Sequence, residues 1–371
     1  MDNTRIFYKK KNFFHFIKKK KIFLVTGNRS FNKSGFAYDL IRNEIDKSYI
    51  EVYFKREKFP QYIELKNIIK RLNNYNPDLI IGVGGGSVLD YAKLAFLNLR
   101  TKNFRKNIFK KKLKINKIKT RLVLVPTTAG SGAENTSFSV LYKKKKKFSV
   151  TNNIMKPSFI FYNFKYVMRS NKFIRATSAF DSLSQLIESF FSKNSTSKSL
   201  NYSMQGMKIA FENINSFVAK PNELNTKKMI EAASLSGKAI NISKTGGPHA
   251  CSYPFSSLLN ISHGQAVSFT FLNFLLFNFF GIFKLNKIVG KELISKYNVL
   301  FKLTHTKTIF DLMLFVNKLK ENLGLKKNIN RVRKFIRYNK KKIIKLVDKN
   351  RLSNNPIRFS NKELIIKIFN I

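Results

Sequence analysis

The sequence predicts two domains, an α/β unit with a parallel sheet over residues 1–167 and an all-helical unit over 168–371. Three observations carry this. Short apolar runs alternate with helical periodicities in the first half. Two of those runs end in loops of small residues, GVGGGS at 82–87 and PTTAGSG at 126–132. After about residue 167 strand signals fade and long 3.6-residue periodicities take over. Alternating strand and helix patterns are the mark of a parallel sheet covered by helices on both faces.

Taken in order, KIFLVTG (21–27) reads as a strand ending in glycine, followed by a polar turn and a helix over roughly 34–46. YIEVYF (49–54) is a second strand. A turn at Pro60 and an amphipathic helix follow. DLIIGVGGG (78–86) is a buried strand entering a glycine loop, with the helix SVLDYAKLAFLNL behind it. RLVLVPTTAGSG (121–132) is another strand and loop. The lysine run 143–147 reads as a solvated hairpin or loop. Beyond 167, helices are expected at 176–193, 200–217, 226–240 and 265–283, with more toward the C-terminus.

At 43% hydrophobic residues the chain is not disordered by composition, and 371 residues suffice for two ordinary cores. The single cysteine, Cys251, excludes an internal disulfide and fits a reducing compartment. The net charge of +51 raises the alternative of a nucleic-acid or membrane-surface protein. Lysines are spread along the whole chain, and Lys, Asn, Ile and Phe, all with AT-rich codons, are all abundant. Compositional drift is therefore the expected cause. The basic, aromatic start lacks a continuous apolar stretch and a small-residue cleavage site, so a signal peptide is not expected, and His15 reads as a surface residue. The apolar stretch 266–283 carries Asn273 and Asn278 and is expected to be a buried core helix, not a membrane span.

Three consecutive glycines, Gly84, Gly85 and Gly86, let a backbone approach a ligand closely. The helix starting near Ser87 aims free N–H groups and its positive dipole end at that gap, an anion site suited to a pyrophosphate. A tight turn with no ligand is the other reading. The loop is not the usual G-x-G-x-x-G, and it follows the third strand in this assignment, not the first. The second loop, PTTAGSGAENT (126–136), would lie at the same carboxyl edge, where open α/β sheets bind ligands.

In AFDSLSQLIESFF (179–191), Asp181 and Gln185 are i, i+4 on one helix face, and Glu188 follows one turn later. Two of the four histidines, His249 and His263, are 14 residues apart in GGPHACSYPFSSLLNISHGQ, room for a helix, a turn and a return. One Asp, two His and one Gln supply the donors of a four-ligand site for iron, zinc or manganese. Spacing does not show that the histidines converge, so two polar residues close in sequence is the competing reading. His305, with no comparable neighbour, reads as structural.

Together, GVGGGSVLDYAK, PTTAGSGAENT, the Asp181 helix and the His249/His263 pair resemble, in order and spacing, the iron-containing alcohol dehydrogenases. The resemblance runs from KIFLVTG to NNPIRFSNKELIIKIF (354–369). It implies a Rossmann-type nucleotide-binding domain and a helical domain (the dehydroquinate synthase-like fold), with the active site in the cleft between them. It further implies NAD(P)H bound along Gly84, Gly85, Gly86 and Ser87, with Asp90, Thr127, Thr128 and Lys147 on riboses or phosphates. A divalent metal, by analogy Fe²⁺ with Zn²⁺ or Mn²⁺ as alternatives, would sit on Asp181, Gln185, His249 and His263. The family's usual set is Asp with three His. Here Gln185 stands at the second ligand position, and Tyr253 replaces a further, non-ligand histidine near the nicotinamide.

DSLSQLIESFFSKNSTSKS and GKAINISKTGGPHACSYPF resemble the phosphonoacetaldehyde reductase branch, which implies reduction of phosphonoacetaldehyde to 2-hydroxyethylphosphonate. Lys244 is then the candidate donor to the phosphonate. A general iron-containing alcohol dehydrogenase acting on short aliphatic alcohols and aldehydes is the alternative within the family. A dehydroquinate synthase-type lyase fits PTTAGSG and HGQA poorly. The second strand ends in Phe54, Lys55 and Arg56, with no acid until Glu57, which leans toward NADPH. The expected partner is a small aldehyde or alcohol, with no specific nucleic acid and no membrane. A homodimer is the candidate assembly and the cytoplasm the expected compartment.

Overall fold

The computed structural model describes residues 4–109, 113–144 and 146–370. The chain divides into two compact units, Met1–Asn171 and Lys172–Ile371.

The first unit is built on strands β1 (Arg5–Phe7), β2 (Ile22–Thr26), β3 (Ile50–Phe54), β4 (Leu79–Gly84), β5 (Arg121–Pro126) and β8 (Phe159–Phe161), with a hairpin of β6 (Phe138–Lys143) and β7 (Lys146–Thr151). Its helices are α1 (Lys10–Ile17), α2 (Asn28–Asn32), α3 (Phe36–Arg42), α4 (Tyr62–Tyr75), α5 (Gly86–Leu99), α6 (Phe104–Asn107) and α7 (Phe164–Met168). The six-stranded sheet is parallel throughout, in the order β1-β8-β5-β4-β2-β3. Alternate residues of each strand feed separate cores. Phe23, Val25, Ile80 and Leu124 pack with α4 and α5, while Ile22, Leu24, Ile81 and Val125 pack with α1 and α3. The sheet is thus covered on both faces, as the near-continuous apolar runs require.

Two strands escaped the sequence reading. β1 and β8 have three residues each and pair with one another at the sheet edge. With β1 counted, the glycine loop follows the fourth strand. β2 has β3 on one side and β4 on the other, so the strand order reverses there and opens a crevice at the carboxyl ends. That explains why the loop need not follow the first strand. The polar turn after β2 is the short helix α2, and the helix expected at 34–46 is α3, which begins after Gly35 at φ 93° and ends at Arg42. The lysine run is the turn of the β6–β7 hairpin, with Lys145 outside the described residues.

The second unit is helical: α8 (Lys172–Phe191), α9 (Ser197–Ala219), α10 (Glu223–Ser243), α11 (Gly247–Leu259), α12 (His263–Phe280), α13 (Lys287–Thr304), α14 (Ile309–Asn322), α15 (Ile329–Leu346) and two short turns, α16 (Lys349–Leu352) and α17 (Asn361–Glu363). The apolar stretch forms α12, whose Phe269, Phe271, Phe274 and Phe277 are buried. Its Asn278 pairs amide to amide with Asn355, at 2.7 Å for the shorter bond, so the polar interruption is satisfied inside the unit. Among the described residues no helix is long and apolar enough to cross a membrane. α12 starts hard against α8. A Cβ on Gly264 would lie 1.9 Å from the Thr177 carbonyl oxygen, so only glycine allows that approach.

Candidate functional site

The close approach at Gly264 carries His263 to the middle of α8, where Asp181 points inward. His249, in the first turn of α11, arrives from the other side. His249 Nε2 is 3.3 Å and His263 Nε2 3.8 Å from the same oxygen, Asp181 Oδ1. One donor atom from each of the three residues lies within 4.8 Å of the others. Asp181 and His249 are buried, and His263 is 31% exposed. Asp181 Oδ1 and His249 Nε2 are buried without a hydrogen-bond partner. Two orphaned buried donor atoms facing each other, with a third imidazole beside them, fit a divalent cation of the iron or zinc type. Burial works to raise the Asp181 carboxyl, but the two histidines outweigh it and hold the group below its usual range. Burial works to lower His249, but Glu188 and Asp181 raise it above its ordinary value.

Glu188 is the functional residue whose role sequence reasoning missed. Its Oε1 receives His249 Nδ1 at 2.5 Å and the Ser184 hydroxyl at 2.9 Å. Its Oε2 accepts the backbone N–H groups of Gly246 at 2.8 Å and His249 at 3.3 Å. A carboxylate on Nδ1 fixes that proton and leaves the Nε2 lone pair facing Asp181, the usual support for a metal-binding imidazole. The signal was present: Asp181 and Glu188 are seven residues, two helical turns, apart on one face.

Gln185 stands between Asp181 and Ser236. Its amide Nε2 donates to Asp181 Oδ2 at 3.2 Å, and its Oε1 accepts the Ser236 hydroxyl at 2.5 Å. In this orientation it presents N–H, not oxygen, toward the acidic ligand. Tyr253, also buried, stacks on His263 with ring centroids 6.1 Å apart and planes 26° off parallel.

Lys244 ends α10 at φ 65° and ψ 178°, a backbone region that is essentially glycine's. Its amine donates to the Asn241 carbonyl at 3.1 Å. Burial, and then the nearby Arg351 charge, lower its pKa. Cys251 is buried, and burial pushes its thiol far up, which makes it an unreactive core residue.

In the first unit the two loops after β4 and β5 lie against each other. Gly84 pairs with Pro126, and the Thr127 N–H donates to the Gly84 carbonyl at 3.0 Å. A Cβ on Gly85 would meet Thr128 Oγ1 at 3.3 Å, and one on Gly86 would meet Ser131 Oγ at 2.7 Å. No side chain caps α5; the Val88 N–H donates to the Gly85 carbonyl at 2.9 Å, and the helix opens on the backbone of Gly86 and Ser87, a geometry suited to an anion. Ser87 Oγ donates to the Lys58 carbonyl at 3.1 Å. Asp90 turns toward the hairpin and accepts the Val140 N–H at 3.2 Å, near Lys93 and Lys147. Burial pushes its carboxyl up to about 6. After β3, the backbone N–H groups of Arg56 and Glu57 are held by Glu64, whose Oε2 also receives the Tyr91 hydroxyl at 2.7 Å.

The model of the iron-containing alcohol dehydrogenases matches residues 4–163, and the model of that family's C-terminal domain matches residues 175–370. The chain is 25% identical over 271 residues to aldehyde-alcohol dehydrogenase 2 of Entamoeba histolytica, covering 67% of this chain but only 30% of that relative. It is 28% identical over 220 residues to the phosphonoacetaldehyde reductase of Streptomyces viridochromogenes, 57% of this chain and 56% of that one. The fold matches sulfoacetaldehyde reductase from Bifidobacterium kashiwanohense, solved with NAD⁺, at a TM-score of 0.81 and 22% identity, over 98% of this chain and 96% of that one. On both family matches, which together span almost all of its length, the chain belongs to the iron-containing alcohol dehydrogenase family.

Proposed function

We propose that this chain reduces an aldehyde to a primary alcohol with NAD(P)H and a divalent metal, and that the aldehyde is phosphonoacetaldehyde, giving 2-hydroxyethylphosphonate. The observation that carries the reading is the convergence of Asp181 Oδ1, His249 Nε2 and His263 Nε2. Two of the similar proteins are, by name, reductases of two-carbon aldehydes with an acidic tail, which supports an anionic substrate.

When bound, the cation supplies Lewis acidity at the carbonyl oxygen and the nicotinamide supplies the hydride. Asp181, His249 and His263 hold the cation, and Glu188 orients His249. Gln185 steadies Asp181. With its amide turned over, its oxygen would help Asp181, His249 and His263 hold the cation, and Ser236 permits the turn because a hydroxyl accepts as readily as it donates. The backbone of Gly84, Gly85, Gly86 and Ser87 cradles the pyrophosphate, and Thr127, Thr128 and Lys147 line its path. Asp90 braces the hairpin that carries Lys147. Tyr253 walls the reaction centre beside His263. With the cofactor bound, a water or a ribose hydroxyl would supply the proton that the carbonyl oxygen takes up. Lys55 and Arg56, after β3, favour the 2′-phosphate of NADPH, so Lys55→Asp shifts the ratio of specificity constants toward NADH; an unchanged ratio refutes that assignment.

The test of the substrate is kcat/KM for phosphonoacetaldehyde against butyraldehyde. A preference of tenfold or more, about 1.4 kcal/mol, is expected. Equal values leave the broader reading, a general alcohol dehydrogenase of short aliphatic substrates.

A further inference from the structure

We infer that Glu64 and Tyr91 are positioning residues for the nucleotide, which together clamp the strap of residues 55–61 that carries Lys55 and Arg56. The inference rests on the NADPH reading above. The strap joins β3 to α4, and every group in the clamp belongs to the first unit.

The clamp departs from what a helix start alone requires. Gln61 is the N-cap of α4, and Glu64 is the third residue of the helix. A glutamate at that position ordinarily turns back to the N-cap N–H. Here Tyr91, from the second turn of α5, has taken that group: the Gln61 N–H donates to its hydroxyl at 2.6 Å. The Tyr91 hydroxyl donates in turn to Glu64 Oε2 at 2.7 Å. Glu64 instead serves the start of the strap, where its oxygens accept the N–H groups of Arg56 at 2.5 Å and Glu57 at 3.1 Å. Both side chains are buried, Glu64 at 4% exposure and Tyr91 at 0%. Burial, and then the bond to Glu64, push the Tyr91 hydroxyl up, so it stays protonated and donating.

The strap is also pinned to the nucleotide crevice. The Lys55 N–H donates to the carbonyl of Thr26, the last residue of β2, at 2.8 Å, and the Lys55 amine donates to the Glu57 carbonyl at 2.6 Å. The Lys58 carbonyl accepts the Ser87 hydroxyl in the first turn of α5. β2 is the strand at which the sheet order reverses. A loop tied both to its carboxyl end and to the start of α5 borders the crevice where a dinucleotide lies. Bonds to a carboxylate are roughly twice as strong as neutral ones. Glu64 therefore fixes the backbone from which the Lys55 and Arg56 side chains project. Cations on a backbone fixed in advance lose less freedom on meeting a 2′-phosphate. NADH lacks that group, so the clamp acts on the choice between the two nucleotides.

The test uses the full chain with metal bound and two readouts, fluorescence titration with NADPH and NADH, and amide hydrogen exchange. Tyr91→Phe removes one hydroxyl and keeps the ring. It should speed exchange at Arg56, Glu57 and Gln61, weaken NADPH binding tenfold or more, and weaken NADH binding less than threefold. In turnover it should raise the KM for NADPH with little change in kcat. If Tyr91→Phe does not fold, Glu64→Gln, with one accepting oxygen for the donors of Arg56, Glu57 and Tyr91, should shift the nucleotide ratio the same way. Unchanged exchange at those amides would overturn the clamp. So would a ratio of Kd values within threefold of that of a parent that prefers NADPH, and the NADPH reading would then stand alone. A parent that binds NADH as tightly as NADPH, or more tightly, would overturn the NADPH reading and the clamp's role with it.

Discussion

Replacing Glu188 by Gln tests the metal centre without removing a ligand. One carboxylate oxygen serves two backbone N–H groups and the other serves the Ser184 hydroxyl and His249 Nδ1. A carboxamide has only one accepting oxygen. If its NH₂ faced Gly246 and His249 N–H, donors would oppose donors in a buried place. The amide nitrogen must therefore turn to His249, while Ser184 switches to accepting. An N–H aimed at Nδ1 forces the imidazole proton onto Nε2, the nitrogen facing Asp181, and removes the lone pair a metal needs. Loss of such support costs about 10–100-fold in metal affinity, roughly 1.4–2.7 kcal/mol. Loss of charge-assisted bonds lowers folding stability by roughly 1.5–3 kcal/mol as well. The assay is anaerobic competition for Fe²⁺ and Zn²⁺ with a chromogenic chelator, with urea unfolding in parallel. Affinity in Glu188→Gln within about threefold of the parent (RT ln 3, roughly 0.7 kcal/mol) for both metals would refute the reasoning.

Other outcomes follow from single contacts. Gly84→Ala puts a Cβ 2.6 Å from Val88, and should cost about 1–3 kcal/mol by overpacking while weakening NADPH binding in a fluorescence titration. Lys244→Gly relieves a glycine-only backbone conformation worth about 1–3 kcal/mol, less about 0.5–1 for the added chain freedom. The urea midpoint should rise, and a lower midpoint would contradict the strain. Asp90 has its carboxyl raised by burial to about 6 against an ordinary 3.8. The stability this group contributes is complete below its unfolded value and is lost as pH rises through the folded one. From about pH 3 to about pH 7, Asp90→Asn should therefore gain roughly 3 kcal/mol relative to the parent, whereas a difference flat with pH would contradict it.

The parts of this architecture legible in the sequence were those with local, repetitive physics. β2, β4 and β5 are apolar runs closed by Gly or Pro, and the sheet buries both faces of them, so no alternation was needed to find them. β1 and β8 were not legible, because three residues carry no period and their pairing joins positions about 150 apart. The ligand face of α8 was visible as a spacing, and His249 and His263 as neighbours. Their convergence depends on Gly264 fitting against Thr177, a contact 87 residues apart in sequence that periodicity cannot express. Gln185 shows the same limit from the other side. Its identity was plain, but its orientation is set by Ser236, 51 positions away on α10.

The central claim is that aldehyde reduction depends on a metal held by Asp181, His249 and His263. The most direct measurement strips the protein with a chelator, reloads it anaerobically with Fe²⁺, Zn²⁺ or Mn²⁺, and follows NADPH and NADH oxidation with phosphonoacetaldehyde alongside metal content per chain. The account predicts no turnover in the stripped protein, recovery with at least one metal at one ion per chain, and loss of that ion in His249→Ala. Undiminished turnover after stripping, or no turnover with any metal and either aldehyde, would contradict it.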